Sequence, residues 1–171
     1  LINGGSKNVF AVDAEKGDLV WKLPQVDPKN TVNTTPVLSG GMLLFTASSR
    51  DFGAVFGVRL GDGSATQAWA RELKISHGGT VCVNGWLYGS SSRGDVLGWM
   101  RLDVETGKTM QVKPAADLSD GSVIVADGRL YCLTARGLMT LQELTDAGFR
   151  TAGTFRLTTE GKGQDAWAHP V

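Results

Sequence analysis

The chain has 171 residues, with 17 Lys+Arg set against 17 Asp+Glu, so its formal net charge is zero. That balance supplies no overall pull toward nucleic acid or an anionic membrane, and no apolar run reaches the roughly 20 residues that a membrane-spanning helix needs. Gly contributes 23 residues and Pro only 5, a glycine share well above the usual roughly 7%, which points to many tight turns and hence many short strands.

In chain order, Leu1-Ile2-Asn3, Val9–Val12 and Leu19–Leu23 read as strands. Pro36–Leu38, Met42–Ala47, Val55–Leu60 (or from Ala54) and Gln67–Leu73 form a second group. Thr80–Val83, Trp86–Gly89, Leu97–Leu102 and Thr109–Val112 form a third. Val123–Val125, Leu130–Thr134, Leu138–Leu141 and Gly153–Leu157 form a fourth, and Ala168–Val171 opens another. These are short β-rich runs between turn residues, without the i, i+3, i+4, i+7 spacing of a helix. The one stretch with helical character is Gln142 to Ala147. Cys82 and Cys132 lie inside apolar runs with no metal-ligand spacing, and both are expected to be buried small hydrophobes.

The groups repeat. Gly41, Gly85 and Gly128 each precede an apolar and aromatic run and lie 44 and then 43 residues apart. Gly17, Gly63, Gly107 and Gly148 close acidic turns and step by 46, 44 and 41 residues. Lys7, Arg50, Arg93 and Arg136 recur every 43 residues. A period of 40–50 residues with about four short strands per unit is the pattern of a β-propeller. The predicted fold is therefore all-β, with about four blades of four antiparallel strands, ordered from an innermost strand A to an outermost strand D. Residues 1–171 form one propeller region: a blade part at 1–24, blades at about 35–73, 79–113 and 121–158, and the start of a next blade at 166–171.

The segment Ala11-Val12-Asp13-Ala14-Glu15-Lys16-Gly17-Asp18-Leu19-Val20-Trp21 resembles the A-x-D-x-x-T-G-x-x-x-W repeat of PQQ-like propellers, which include quinoprotein dehydrogenases and the BamB-type assembly lipoprotein. In that repeat Asp and Gly build the C–D turn, and the Trp is expected to pack between neighbouring blades. The later units depart from it. Arg59 replaces the turn Asp of the second unit and Trp69 arrives two residues late; Gln111 stands where the third unit should have Trp; the fourth keeps little beyond Gly148 and Phe155.

The resemblance implies a periplasmic or extracellular bacterial protein, and two activities within the family. A quinoprotein would need PQQ, calcium ligands and a catalytic Asp, often with adjacent cysteines. No adjacent cysteines and no paired acidic metal site stand out here, nor does a GxSxG, HExxH or P-loop motif. The expected function is non-catalytic binding or scaffolding, with no cofactor. The alternatives are a fragment of a PQQ-dependent oxidoreductase and a BamB-type protein-assembly platform.

Candidate binding residues come from position. In a propeller the D–A and B–C loops share one face, and strand A lines the channel. Counting back from the turn glycines places Asn33, His77 and Asp120 at equivalent points just before strand A, and Trp167 joins them by matching Pro170 to Pro36. Lys7, Arg50, Arg93 and Arg136 fall in the B–C loops of the same face, and His169 lies in the last inner strand. A polar, cationic channel mouth suits a small anionic ligand, a glycan or a protein partner. The same basic residues can equally serve their own loops, bonding nearby carbonyls or pairing with Asp51 and Asp95.

The chain opens in a B strand, lacks Met, and stops where an A–B turn is due, so it is expected to be an excerpt of a longer propeller. Should it stand alone, a homodimer of two copies exchanging last strands is preferred to a four-bladed ring.

Overall fold

The computed structural model describes residues 1–27, 29–49, 52–75, 77–93, 96–114 and 121–157. Every regular element among them is a β-strand. The first sheet holds β1 (Ile2–Gly4), β2 (Asn8–Val12) and β3 (Leu19–Pro24). The second holds β4 (Thr31–Val32), β5 (Val37–Ser39), β6 (Met42–Ser48), β7 (Gly53–Leu60) and β8 (Ala65–Glu72). The third contains β9 (Thr80–Val83), β10 (Trp86–Arg93), β11 (Val96–Asp103) and β12 (Thr109–Lys113). The fourth contains β13 (Gly121–Ala126), β14 (Arg129–Thr134), β15 (Leu138–Thr145) and β16 (Gly148–Arg156). All pairings are antiparallel meanders. The inner strands β5, β9 and β13 neighbour one another in turn, and β3 lies beside β8, so the sheets fan out as propeller blades.

Local chemistry sets the register. The three A–B hairpins turn through Gly40-Gly41, Asn84-Gly85 and Asp127-Gly128, each a pair at positive φ, which is the twist-compatible two-residue hairpin. In the first C–D turn the Asp13 carboxylate accepts from the amides of Glu15 at 3.0 Å and Lys16 at 2.8 Å. Those two bonds hold the Asp13 carboxyl below its ordinary value. Asp103 repeats the turn, accepting from the Thr106 amide at 2.8 Å and the Thr106 hydroxyl at 2.7 Å.

Packing follows the period of two within each strand. Along β6, Leu43, Phe45 and Ala47 turn toward the first sheet and pack with Val9, while Met42 and Leu44 turn toward the third and pack with Leu87, Met100 and Leu102. A strand buried on both faces reads as a continuous apolar run, and Met42–Ala47 is one. Phe45 and Phe56 stack at 5.3 Å between centroids, and both are fully buried, each contributing roughly 1.5–3 kcal/mol. Tyr88 and Trp99 meet Val123, Leu130, Cys132 and Phe149 in the third inter-sheet core.

The repeat tryptophans bridge blades. Trp21 packs against the core between the first two sheets. Trp69 donates Nε1–H to the Val104 carbonyl of the third sheet at 2.9 Å. Glycines flank its ring on both sides: a Cβ on Gly57, its own cross-strand partner, or on Gly107, in the neighbouring turn, would approach it within 2.6 or 2.4 Å. Between the third and fourth sheets an arginine takes this role. Arg101 pairs in register with Gln111, lies 3.8 Å from the Trp86 ring centroid, and donates to the Asp146 carbonyl at 3.3 Å. Arg59, at the second unit's Asp position, instead reaches Glu105 of the next turn at 2.6 Å, an exposed pair of small energetic weight.

Two expectations are corrected. Gln142 to Ala147 is not helical: β15 runs through Thr145, because Gln142 pairs with Leu130 on one side and Thr151 on the other, and those ladders satisfy the backbone better than a lone helical turn. The inner strand expected at Pro36–Leu38 is found as β5, and a further strand, β4, precedes it, the two separated at Asn33–Pro36, where Pro36 has no N–H to donate and the Thr34 and Thr46 hydroxyls bond each other. Cys82 is half-buried, whereas Cys132 is buried as expected. Ala168–Val171 lies outside the described residues.

Candidate functional site

The split in the second inner strand makes the site. Residues 33–36 leave the ladder, and beside them the segment after β8 brings His77 to the start of β9. Between them lies a cavity of about 380 Å³ lined by Asn33, Thr34, Thr35, His77, Gly79 and Thr80. Its floor is fixed from below. Asn33 Nδ2 donates to the Ser48 hydroxyl at 2.8 Å. Gly78 packs so closely on the next sheet that a Cβ there would lie 1.6 Å from the Gly121 carbonyl oxygen. Ser90 Oγ donates to that same carbonyl at 2.9 Å, so β10 and β13 are joined where the loop bearing His77 packs against them.

Asn33 and His77, equivalent by repeat spacing, thus line one cavity. Thr34, Thr35 and Thr80 were missed as candidates; the signal for them was the Thr-Thr-Pro interruption of an inner strand. Of the cationic series, the side chains of Lys7 and Arg136 are described. Lys7 is exposed, and its carbonyl accepts from the Gln25 amide at 3.0 Å. Arg136 is exposed in the β14–β15 turn and has a partner of its own. Arg93 ends β10, and its side chain is outside the described part; Arg50, Asp120, Trp167 and His169 lie outside the described residues altogether. The described lining sets an amide, an imidazole and threonine hydroxyls beside the apolar Pro36 and Val37, a mixed rather than an ionic surface.

A protein-family model described as outer membrane protein assembly factor BamB matches residues 1–113. The chain belongs to this family of PQQ-like propeller repeats. The match ends with the third sheet, before the repeat whose sequence keeps least of the motif. Among solved structures, BamB from Moraxella catarrhalis resembles the chain with a TM-score of 0.68 and 16% identity, over 91% of this chain and 45% of that one. A europium-containing methanol dehydrogenase resembles it with a TM-score of 0.51 and 12% identity, over 71% of this chain and 24% of that one. The chain therefore spans less than half the length of either structure, and at these identities the likeness is one of fold. No curated protein matches the sequence.

Among the described residues no three His, Cys, Asp or Glu side chains gather as a metal site, and the cavity at Asn33 and His77 brings a single amide and imidazole.

Proposed function

We propose that this propeller region is a non-catalytic binding or scaffolding module of a bacterial envelope protein, acting through the face that carries the cavity at Asn33 and His77. The observation that carries the reading is the cavity itself, built where an inner strand is interrupted and lined by an amide, an imidazole and threonine hydroxyls beside Pro36 and Val37. The match to an outer membrane assembly factor supports a protein partner in the periplasm over a free small molecule. A photo-crosslinking side chain at Thr35, in the parent protein expressed in the periplasm, should capture an envelope protein, while the same group at exposed Leu19 on a blade's outer strand should not. Equal capture from both positions, or none from Thr35, overturns this reading.

The likeness to a methanol dehydrogenase supports one rival, a quinoprotein oxidoreductase. Dye-coupled alcohol oxidation after adding PQQ and calcium would favour that rival.

A further inference from the structure

We propose that the cleft between the third and fourth sheets binds a small hydroxylated carboxylate, a hexuronic acid unit, with Lys113 as its charge partner. This cleft is separate from the cavity at Asn33 and His77 and does not depend on the reading given to that cavity.

The cleft arises from the meeting of three cross-strand rungs. On the third sheet Trp99 pairs with Lys113; on the fourth, Thr140 pairs with Thr154 and Gln142 with Thr151. All six side chains line one cavity of about 230 Å³, near the loops that connect strands B and C. That volume is below the roughly 300 Å³ at which drug-sized pockets begin, so it suits one sugar ring rather than an oligosaccharide or a nucleotide. Pro114, Thr134 and Leu138 complete the lining, so a few hydroxyls, an amide and one cation stand against an aromatic and aliphatic wall, the mix of a largely apolar pocket with a few placed polar groups.

Charge indicates the class of ligand. Lys113 is half-buried, and Nζ donates to the Thr151 hydroxyl, which in turn donates to Gln142 Oε1 at 3.1 Å. Among the described residues no carboxylate pairs with Lys113. A cation drawn partly out of water with only neutral partners has much of its electrostatic attraction unspent, and an anionic group entering the cleft would use it. Gln142, 1% exposed, and Trp99, 4% exposed, are fixed by burial and form the back of the cleft beside that charge. A lone lysine gives a point charge, without the second cation or the backbone amide nest usual for phosphate.

The test titrates the chain with glucuronate, glucose and inorganic phosphate, followed by calorimetry and by amide NMR shifts at Thr151 and Thr154. Glucuronate should bind saturably at millimolar concentration and shift both amides, while glucose, lacking the carboxylate, should bind about tenfold more weakly. Lys113→Gln should lose about tenfold in glucuronate affinity and Lys113→Arg should retain most of it, with the melting temperature reporting that both still fold. If Lys113→Gln fails to fold, Thr154→Val at an exposed lining position takes its place and should weaken glucuronate severalfold. Equal binding of glucose and glucuronate, phosphate binding in preference to glucuronate, shifts absent from Thr151 and Thr154, or full affinity in the substituted chain each overturns the proposal.

Discussion

Replacing Gly107 with Ala probes the wedge between the second and third sheets. Gly107 has φ +66°, and a Cβ there would lie 2.4 Å from Cε3, 2.6 Å from Cδ2 and 2.9 Å from Cζ3 of Trp69. The ring has little freedom to retreat, because Gly57 closes its other side and Nε1 is bonded to Val104. Left-handed backbone strain on an L side chain costs roughly 1–2 kcal/mol. Overpacking against a fixed ring adds roughly 1–3 kcal/mol, for a total of about 2–5 kcal/mol. Gly17 is the internal control: it occupies the equivalent turn of the first sheet at φ +75° with open space where its Cβ would go. Gly17→Ala should therefore carry only the strain, about 1–2 kcal/mol. Urea unfolding followed by circular dichroism reads the difference, with an unchanged slope required for the comparison. In a Trp69→Ala background the excess cost of Gly107→Ala should vanish, since the colliding ring is gone. Equal costs for Gly107→Ala and Gly17→Ala, or an excess that survives removal of Trp69, would refute the wedge.

Other outcomes follow from the same geometry. Arg101→Ala should cost about 2–3 kcal/mol in unfolding free energy, because it removes a desolvated cation–π contact and the bond to Asp146, and Trp86 emission should change with it. Burial pushes the Cys132 thiol up to about 12 and the Cys82 thiol up to about 11 from an ordinary 9.0. The neutral thiol is the form the fold favours, so this contribution is complete below pH 9.0 and is lost as pH rises toward 11 and 12. Thermal melts of the wild type should fall more steeply across that window than those of a Cys82→Ala/Cys132→Val variant. A thiol reagent at about pH 8 should leave both residues unreacted until the chain unfolds.

The strand order was legible because turn chemistry and strand periodicity agree. Asn84-Gly85 and Asp127-Gly128 announce hairpins, and the Asp13 turn announces the next pairing. Where local sequence and long-range pairing compete, reading failed. Gln142 to Ala147 has residues at home in a helix, yet two neighbouring strands claim its backbone. Arg101 was invisible as a substitute for tryptophan, since nothing in its own segment says that it stacks on Trp86 or reaches a turn 45 residues away. Of the candidate site, spacing placed Asn33 and His77 together, but the threonines between them depended on a break in strand pairing. The Lys113 cleft was equally hidden, because it is made by rungs of two different sheets.

Two of the acceptors that tie one blade to the next are main-chain carbonyls: Val104 receives Trp69 and Asp146 receives Arg101. Every residue type presents such an oxygen, so the receiving repeat places no demand on side-chain identity there. Change on the donor side can then proceed alone, with no matching substitution in the following unit. Tandem copies joined in this way can diverge one at a time and stay assembled, which is how a repeat worn down to a few recognisable positions still folds as a blade.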